Sequence, residues 1–372
     1  MMTDNLIIGG GVYGAAVAFE LTGRGAGAHL IEASHIGAGA SAGPGKRGVR
    51  ASGRDPREIP LIRQSRKIWP SLHERLRVAP LFEQSGHVML IERAEDMAEA
   101  EARAALQSTM GIPTEMVYGD AVRDYEPEVC DQVCAAMICP GDGVADHTAT
   151  TKAYAAAARA AGAVVEEDVS AARLVCQGSL ATGVECADGH HYPVTGNLFV
   201  LANAGVSALV GGHVDLPVWN NAFQVLLSTP LDDVPIRHLV GHAHRTLSLK
   251  SEPGNRIMIS GGYQGRWDYE RQTGQTVASE IAANVADAVA VFPSLEGIEI
   301  EVADAGHLEA VSIDRVPVID RLPGLDNVYF ATGWSGHGWA IAPAIAALLA
   351  AWALDGVAPA ELAPLAMSRF TA

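Results

Sequence analysis

Leu6-Ile7-Ile8-Gly9-Gly10-Gly11-Val12-Tyr13-Gly14 is an apolar run that passes straight into a G-x-G-x-x-G turn made by Gly9, Gly11 and Gly14. The first glycine permits a tight turn, the second lets backbone approach a pyrophosphate, and the third lets helix and strand pack closely. A helix N-terminus then offers free N–H groups and a positive dipole end to the anion. Ala15, Ala16, Ala18, Phe19 and Leu21 form a small-residue helix that stops near Arg24-Gly25, and Ala28-His29-Leu30-Ile31-Glu32 reads as a second strand. An acid at Glu32 accepts hydrogen bonds from an adenosine ribose and repels a 2′-phosphate, which disfavours an NADP-type ligand. Strand, glycine turn, helix, strand and acid together predict a dinucleotide at the edge of a parallel sheet.

At 372 residues the chain exceeds a single typical core, so two domains are expected. A net charge of −17 and a pI near 5.1 argue against nucleic acid, whose phosphates would be repelled. Met1 to Asn5 lacks a positive segment, so the reading is neither secretory nor organellar, and a cytoplasmic location is expected. Ile341 to Leu354 contains Pro343, is too short for a bilayer and reads as a buried helix, so no stable membrane insertion is expected. The five cysteines, Cys130, Cys134, Cys139, Cys176 and Cys186, are odd in number and read as reduced thiols. Cys130, Cys134 and Cys139 fit no standard zinc or iron–sulfur spacing. His238, His242 and His244 beside Arg237 and Arg245 read as ordinary strand or surface residues, so no metal is expected.

Further along, Arg57 to Arg77 reads as a helix, Phe82 to Glu92 as strands, and Ala94 to Met110 as a helix with a solvated charged face. Asp142 to Asp146 reads as a turn leading into a helix from Thr150 to Ala161, followed by strand residues 163–169. Arg173 to Cys176, Gly183 to Ala187 and His190 to Tyr192 form a meander, and Leu198 to Gly205 is a second buried strand ending in small residues. From Asn220 to Tyr263 the pattern is mostly β, with strands at Gln224 to Thr229, Thr246 to Lys250 and Ile257 to Ser260, then a helix from Val277 to Val291. Val328 to Thr332 is a strand running into Gly333-Trp334-Ser335-Gly336-His337-Gly338-Trp339, a glycine-rich turn before a helix near Ala340.

These motifs, taken in order, resemble the FAD-dependent amino-acid and amine oxidoreductases of the D-amino-acid oxidase superfamily, which includes glycine and sarcosine oxidases and D-amino-acid and hydroxyproline dehydrogenases. The carriers are Gly9 to Gly14 with Glu32, Gly37 to Ser41, Asp142-Gly143, Leu201 to Gly205, Gly261-Gly262, Asp314 to Ile319 and Gly333 to Trp339. The resemblance implies an α/β fold: a Rossmann-like FAD-binding domain with a mainly parallel sheet, from 1–80, 142–215 and 305–372. An α+β substrate domain on a mostly antiparallel sheet with flanking helices would come from 81–141 and 216–304.

It further implies non-covalent FAD held by Gly9, Gly11, Val12, Tyr13, Gly14, Glu32, Ala33, Ala40, Ser41, Lys46, Arg47, Val169, Asn203, Ala204 and Gly205. Gly333, Gly336, His337, Gly338 and Trp339 would lie at the flavin ring, with the following helix aiming N–H groups at its pyrimidine end. The reaction implied is oxidation of a carbon–nitrogen bond in an amino-acid, N-substituted amino-acid or imino-acid substrate. A carboxylate substrate calls for a forked cation, and Arg47 and Arg50 are the first candidates. His337, Glu309 and Tyr263 complete the catalytic set, with Glu309 set to face a cationic substrate group and Gln224 as a further pocket residue.

The chain departs from the sarcosine oxidases in three places. No cysteine lies beyond Cys186 for a covalent link, Ala340 stands where they carry a carboxylate-binding lysine, and Ile257-Met258-Ile259 replaces a lysine that assists reaction with oxygen. The last point favours a dehydrogenase over an oxidase. Two rival readings remain open: an NAD-dependent dehydrogenase using the same opening turn, and an FAD-carrying subunit of a hetero-oligomer of opine or hydroxyproline dehydrogenase type. An electron-acceptor protein or partner subunit follows from the latter.

Overall fold

The computed structural model describes residues 3–40 and 45–370. Within them the chain builds two eight-stranded sheets and three smaller ones. The first large sheet grows from Thr3–Ile8, whose Leu6 and Ile7 are fully buried, as a strand covered on both faces requires. His29–Ile31 and His191–Val200 flank it in parallel, and Val164–Glu166 and Val328–Thr332 extend the parallel run outward. Ile7 pairs with Leu30 on one side and Phe199 on the other, and Phe199 with Tyr329. The strands run one way, so Gly9, Leu201 and Gly333 share the sheet's carboxyl edge, where open α/β sheets bind ligands. Gly9 has φ +107, and a Cβ there would lie 2.7 Å from the Leu201 carbonyl oxygen, so the edge closes only around glycine. Val12–Gly23 buries Tyr13 through Ala18 and packs between His147–Ala160 and Ala342–Asp355.

The second sheet runs Ile300–Asp304, Val225–Ser228, Arg256–Ser260, Ser248–Glu252, Leu239–His242, His87–Ile91, Ala135–Cys139, Glu115–Tyr118. It is antiparallel except where Leu239–His242 meets His87–Ile91. Leu226, Leu249, Ile257 and Ile259 pack in one core with Ala288 and Val291 of the Ala278–Val291 helix. By the period-two alternation of a strand, Ser248, Lys250, Met258 and Ser260 face the other way, onto a cavity.

Several local expectations need correction. Gly143–Asp146 is a strand, not a turn, paired with Lys46–Val49 and Phe82–Glu83. A Cβ on Gly143 would sit 2.0 Å from the Glu83 carbonyl oxygen, so this glycine serves strand crowding. His190 to Tyr192 and Leu198 onward are one strand, His191–Val200, because Gly196 lets the backbone pass against Asp4, whose carbonyl oxygen a Cβ would meet at 2.3 Å. The helix expected over Arg57 to Arg77 breaks into Ile59–Ile68 and Leu72–Leu76 around Trp69-Pro70, since proline cannot donate to the preceding turn. The helix after the closing glycine turn begins at Ala342, behind a short tight turn at Trp339–Ile341. Among the described residues no single helix is long and apolar enough to cross a membrane.

Candidate functional site

A cavity of about 800 Å³ lies along the carboxyl edge of the first sheet and reaches the polar face of the second. Gly9, Gly11, Val12, Tyr13, Glu32, Ala33, Ala40 and Val169 line it on one side; Asn203, Gly205, Arg47, Arg50, Glu309, Gly336, His337, Gly338 and Trp339 line it elsewhere. Other residues expected here stand off the wall. Gly14 is a packing glycine, since its Cβ would lie 1.9 Å from the Gly9 carbonyl oxygen, and Gly333, at φ +73, abuts Ser312. Ala204 accepts from the Asn220 side chain. Lys46 pairs with Glu83 at 2.7 Å on the surface, and the Tyr263 hydroxyl donates to Asp287 at 2.8 Å. Ser41 lies outside the described residues.

The opening turn fits a dinucleotide. Val12–Gly23 starts at Gly11 with no side-chain cap, and a Cβ on Gly11 would meet nothing within 4 Å, which leaves room ahead of the helix N-terminus. Glu32 is fixed by the Gly10 N–H at 2.6 Å and the Ser34 N–H at 2.9 Å. A carboxylate has about four acceptor positions, so capacity remains for a ribose.

At the closing turn, Tyr13 stacks on Trp334 with ring centroids 3.7 Å apart and donates to the Gly338 carbonyl oxygen at 2.5 Å. Burial holds the Tyr13 hydroxyl well above its ordinary pKa, so it remains a donor. Glu309 ties the turn to the first sheet: its carboxylate accepts from Gly336 N–H at 2.8 Å and from the Asn203 amide at 3.1 Å. His337 N–H goes to the Trp334 carbonyl oxygen, so the N–H groups of 336 and 337 are bonded within the protein rather than free for a ring.

The His337 side chain faces two acceptors, the Ser335 carbonyl oxygen at 3.0 Å from Nδ1 and Glu58 at 3.2 Å from Nε2. Glu58 also holds Arg54 at 3.1 Å, and both of those side chains are buried. Burial works to raise the Glu58 pKa, but Arg54 and His337 outweigh it and leave the carboxyl below its ordinary value.

Lys250, His87 and His147 also line the wall, and none of them was singled out by the sequence reading. Burial, reinforced by Arg47 and Arg50, lowers the Lys250 amine to about 7. Burial likewise lowers Arg47 to about 10, and lowers Arg50, which Arg54 depresses further. His87 is pushed to about 3 by burial and by Arg50, so it is neutral. Its tautomer follows from its partners. Asp142 accepts from the Ala51 and Ser52 N–H groups and from the Ser52 hydroxyl at 2.7 Å, so Ser52 Oγ must accept from His87 Nδ1–H, also at 2.7 Å. That leaves a lone pair on His87 Nε2, turned toward Gly241, where a Cβ would come within 2.8 Å. Two wall residues, Gln224 and Trp339, hold buried donors, Nε2 and Nε1, with no acceptor among the described residues.

Glu92, His242 and His244 bring possible metal-ligand atoms within 4.8 Å of one another. His242 Nδ1, however, accepts from the N–H groups of His244 and Arg245, which places the ring proton on Nε2. Arg245 occupies Glu92 at 2.8 Å, so the cluster is arranged as an ion-pair network.

A dinucleotide turn and an electropositive substrate wall opening onto one cavity define a nucleotide-dependent oxidoreductase. The family model described as DAO, FAD dependent oxidoreductase, matches residues 4–352, and the chain belongs to that family. It is similar to glycine oxidase of Geobacillus kaustophilus, 26% identical over 384 residues that cover 98% of this chain and 97% of the relative. The crystal structure of that oxidase covers 98% of both chains with a TM-score of 0.86 at 23% identity. Sarcosine oxidase subunit beta of Rhizobium meliloti is 24% identical over 353 residues, 92% of this chain and 82% of the relative. L-proline dehydrogenase from P. horikoshii has the same fold, with a TM-score of 0.86 at 24% identity over 95% of this chain and 94% of that one. The protein therefore uses FAD and acts on carbon–nitrogen bonds of amino-acid-type donors. The NAD-dependent reading is overturned by this membership.

Proposed function

We propose that the protein oxidises the carbon–nitrogen bond of an amino, N-substituted amino or imino acid, with FAD bound non-covalently along the cavity, and works as a dehydrogenase. The observation that carries this is the single cavity shared by the opening turn, the closing turn and the cationic wall. In this reading 1–80, 142–215 and 305–372 carry the cofactor, and 81–141 with 216–304 complete the substrate wall.

Bound FAD supplies hydride acceptance from the carbon bearing the amine. As that carbon loses its hydride, the nitrogen lone pair becomes the second bond of an iminium ion, which water hydrolyses to an oxo acid and an ammonium product. Arg50 offers the substrate carboxylate a forked donor from a buried position. The positive charge of Arg47, Arg50 and Lys250 disfavours an ammonium nearby, which moves the substrate amine toward its reactive neutral form. His87 Nε2 accepts the amine N–H and orients the lone pair. The stacked Tyr13 and Trp334 close one wall against water.

The dehydrogenase reading rests on Ile257-Met258-Ile259, in the Arg256–Ser260 strand, which stands in place of the segment where the sarcosine oxidases carry the oxygen-assisting lysine. One observation favours an oxidase instead: Lys250 pairs directly opposite Met258 on the next strand, so an amine faces the same space. Electrons would otherwise pass to a carrier or partner subunit, in a cytoplasmic setting. Anaerobic titration of the yellow protein with D-amino acids, N-methyl amino acids, cyclic imino acids and opines tests the donor class through bleaching of the visible flavin band. Admitting air tests the acceptor: fast reoxidation with stoichiometric peroxide counts against the dehydrogenase.

A further inference from the structure

Resting on the amine-oxidising reading, we infer that Lys250 is the base of the reaction: its neutral amine takes a proton from the ammonium of the incoming zwitterion. The second sheet presents two rows of side chains to the cavity, and they differ in cover. His87 pairs with Leu239 and Lys250 with Met258, and all four are buried, between 2% and 4% exposed. The chain from 45 to 52 roofs them. A Cβ on Gly48 would lie 3.0 Å from Leu239, Arg47 Nη1 lies 3.4 Å from the Met258 sulfur, and Ser52 Oγ meets His87 at 2.7 Å. Met89, Gly241, Ser248 and Ser260, paired in that order across the sheet, are half-buried and form an open floor.

Lys250 crosses from the roofed row to the open one. Among the described residues its amine bonds only the Ser260 hydroxyl, at 3.1 Å. Ser260 Oγ–H is directed to the Ser248 carbonyl oxygen at 3.3 Å, so the serine accepts and the lysine donates. That contact uses a hydrogen of the amine and leaves the lone pair of its neutral form to the cavity, which Lys250 lines. The charged groups facing it are Arg47 and Arg50 from the roof and Glu252 from its own strand, whose carboxylate accepts the Lys46 N–H at 2.6 Å. Burial, Arg47 and Arg50 keep much of the lysine neutral near pH 7, where a base is most effective. The other groups on the wall cannot hold a proton there. Burial pushes His87 to about 3 and His147 to about 4, while Glu309 and His337 are bonded at the closing turn.

A zwitterionic donor brings its carboxylate to Arg50 and its ammonium to the floor. Lys250 Nζ forms a bond to one ammonium hydrogen, and the electron pair of the broken N–H bond stays on the substrate nitrogen as the lone pair that the oxidation uses. The carboxylate offsets the charge of Arg50, so Lys250 gains basicity when the donor is present. The proton remains on Lys250, held against Ser260, and passes to solvent after product leaves.

The test is anaerobic flavin reduction of the holoenzyme, which contains no oxygen step, followed against pH at low donor concentration. N-methylglycine, L-proline and D-alanine are the probes. In the parent the second-order rate is expected to rise up to about pH 7 and then level until the donor's own amine titrates. In Lys250→Met and Lys250→Arg the reaction depends on donor already neutral in solution. The rate at pH 7 then falls about 100-fold and climbs with pH up to the donor's amine pKa.

Lys250→Arg separates a base from a cation, because it keeps the charge and cannot take the proton. Rate restored by arginine overturns the base, as does an equal loss at every pH in both variants. Unchanged anaerobic reduction with slower reoxidation in air also overturns it. Should neither variant fold, a parent profile that climbs to the donor's amine pKa with no break near pH 7 overturns it alone. Absence of bleaching in the parent by any of the three probes refutes the amine-oxidising reading and the base with it, whereas bleaching that the variants leave unaltered refutes the base only.

Discussion

Glu58→Gln probes the buried linkage behind the closing turn. Glu58 and Arg54 have side chains 1% and 3% exposed and meet at 3.1 Å, and the other Glu58 oxygen holds His337 at 3.2 Å. Removing one partner of a buried ion pair strands the other charge, at a cost of about 3–5 kcal/mol. His337 is 21% exposed and reaches solvent, so it adds little to that cost. Unfolding entropy near 2.1 cal/mol/K per residue over 372 residues converts the cost into a drop in Tm of roughly 4–6 °C. The assay is thermal unfolding of parent, Glu58→Gln, Arg54→Met and the double variant. If the pair is the cause, the double variant loses less than the sum of the singles. The pH dependence has a definite sign. Glu58 sits below its ordinary 4.5 in the folded state, so its contribution is present above about pH 4.5 and is lost as pH falls through the folded value. The gap between parent and Glu58→Gln therefore narrows in acid. A Tm within 1 °C of the parent at pH 7, or strictly additive singles, refutes the linkage.

The other consequences are separable. Gly11→Val fills open space ahead of the first helix, so the apoprotein keeps its Tm while FAD retention falls at least 100-fold by equilibrium dialysis; Gly14→Ala, whose Cβ would meet Gly9 O at 1.9 Å, instead lowers apoprotein stability. Ser52→Ala breaks the chain that fixes the His87 tautomer, and kcat/KM is expected to fall about tenfold with a loss of only about 1–2 kcal/mol in denaturant unfolding.

The opening unit was legible because one short segment carries every cue: a pure apolar strand, three glycines at fixed spacing, and Glu32 at the end of the next strand. The structure places Gly9 and Gly11 on the cavity and Gly14 in packing, the division of labour that the motif implies. The cationic wall was half legible. Arg47 and Arg50 stood out as paired cations after a glycine loop. Lys250 lay in a strand that the alternation does reveal, but alternation gives two faces without saying which meets a ligand, and that depends on the Ala278–Val291 helix covering the other one. His87 and Glu58 were invisible for a different reason. Their roles come from Asp142 and His337, partners 55 and 279 residues away in the chain, and only the fold brings such pairs together.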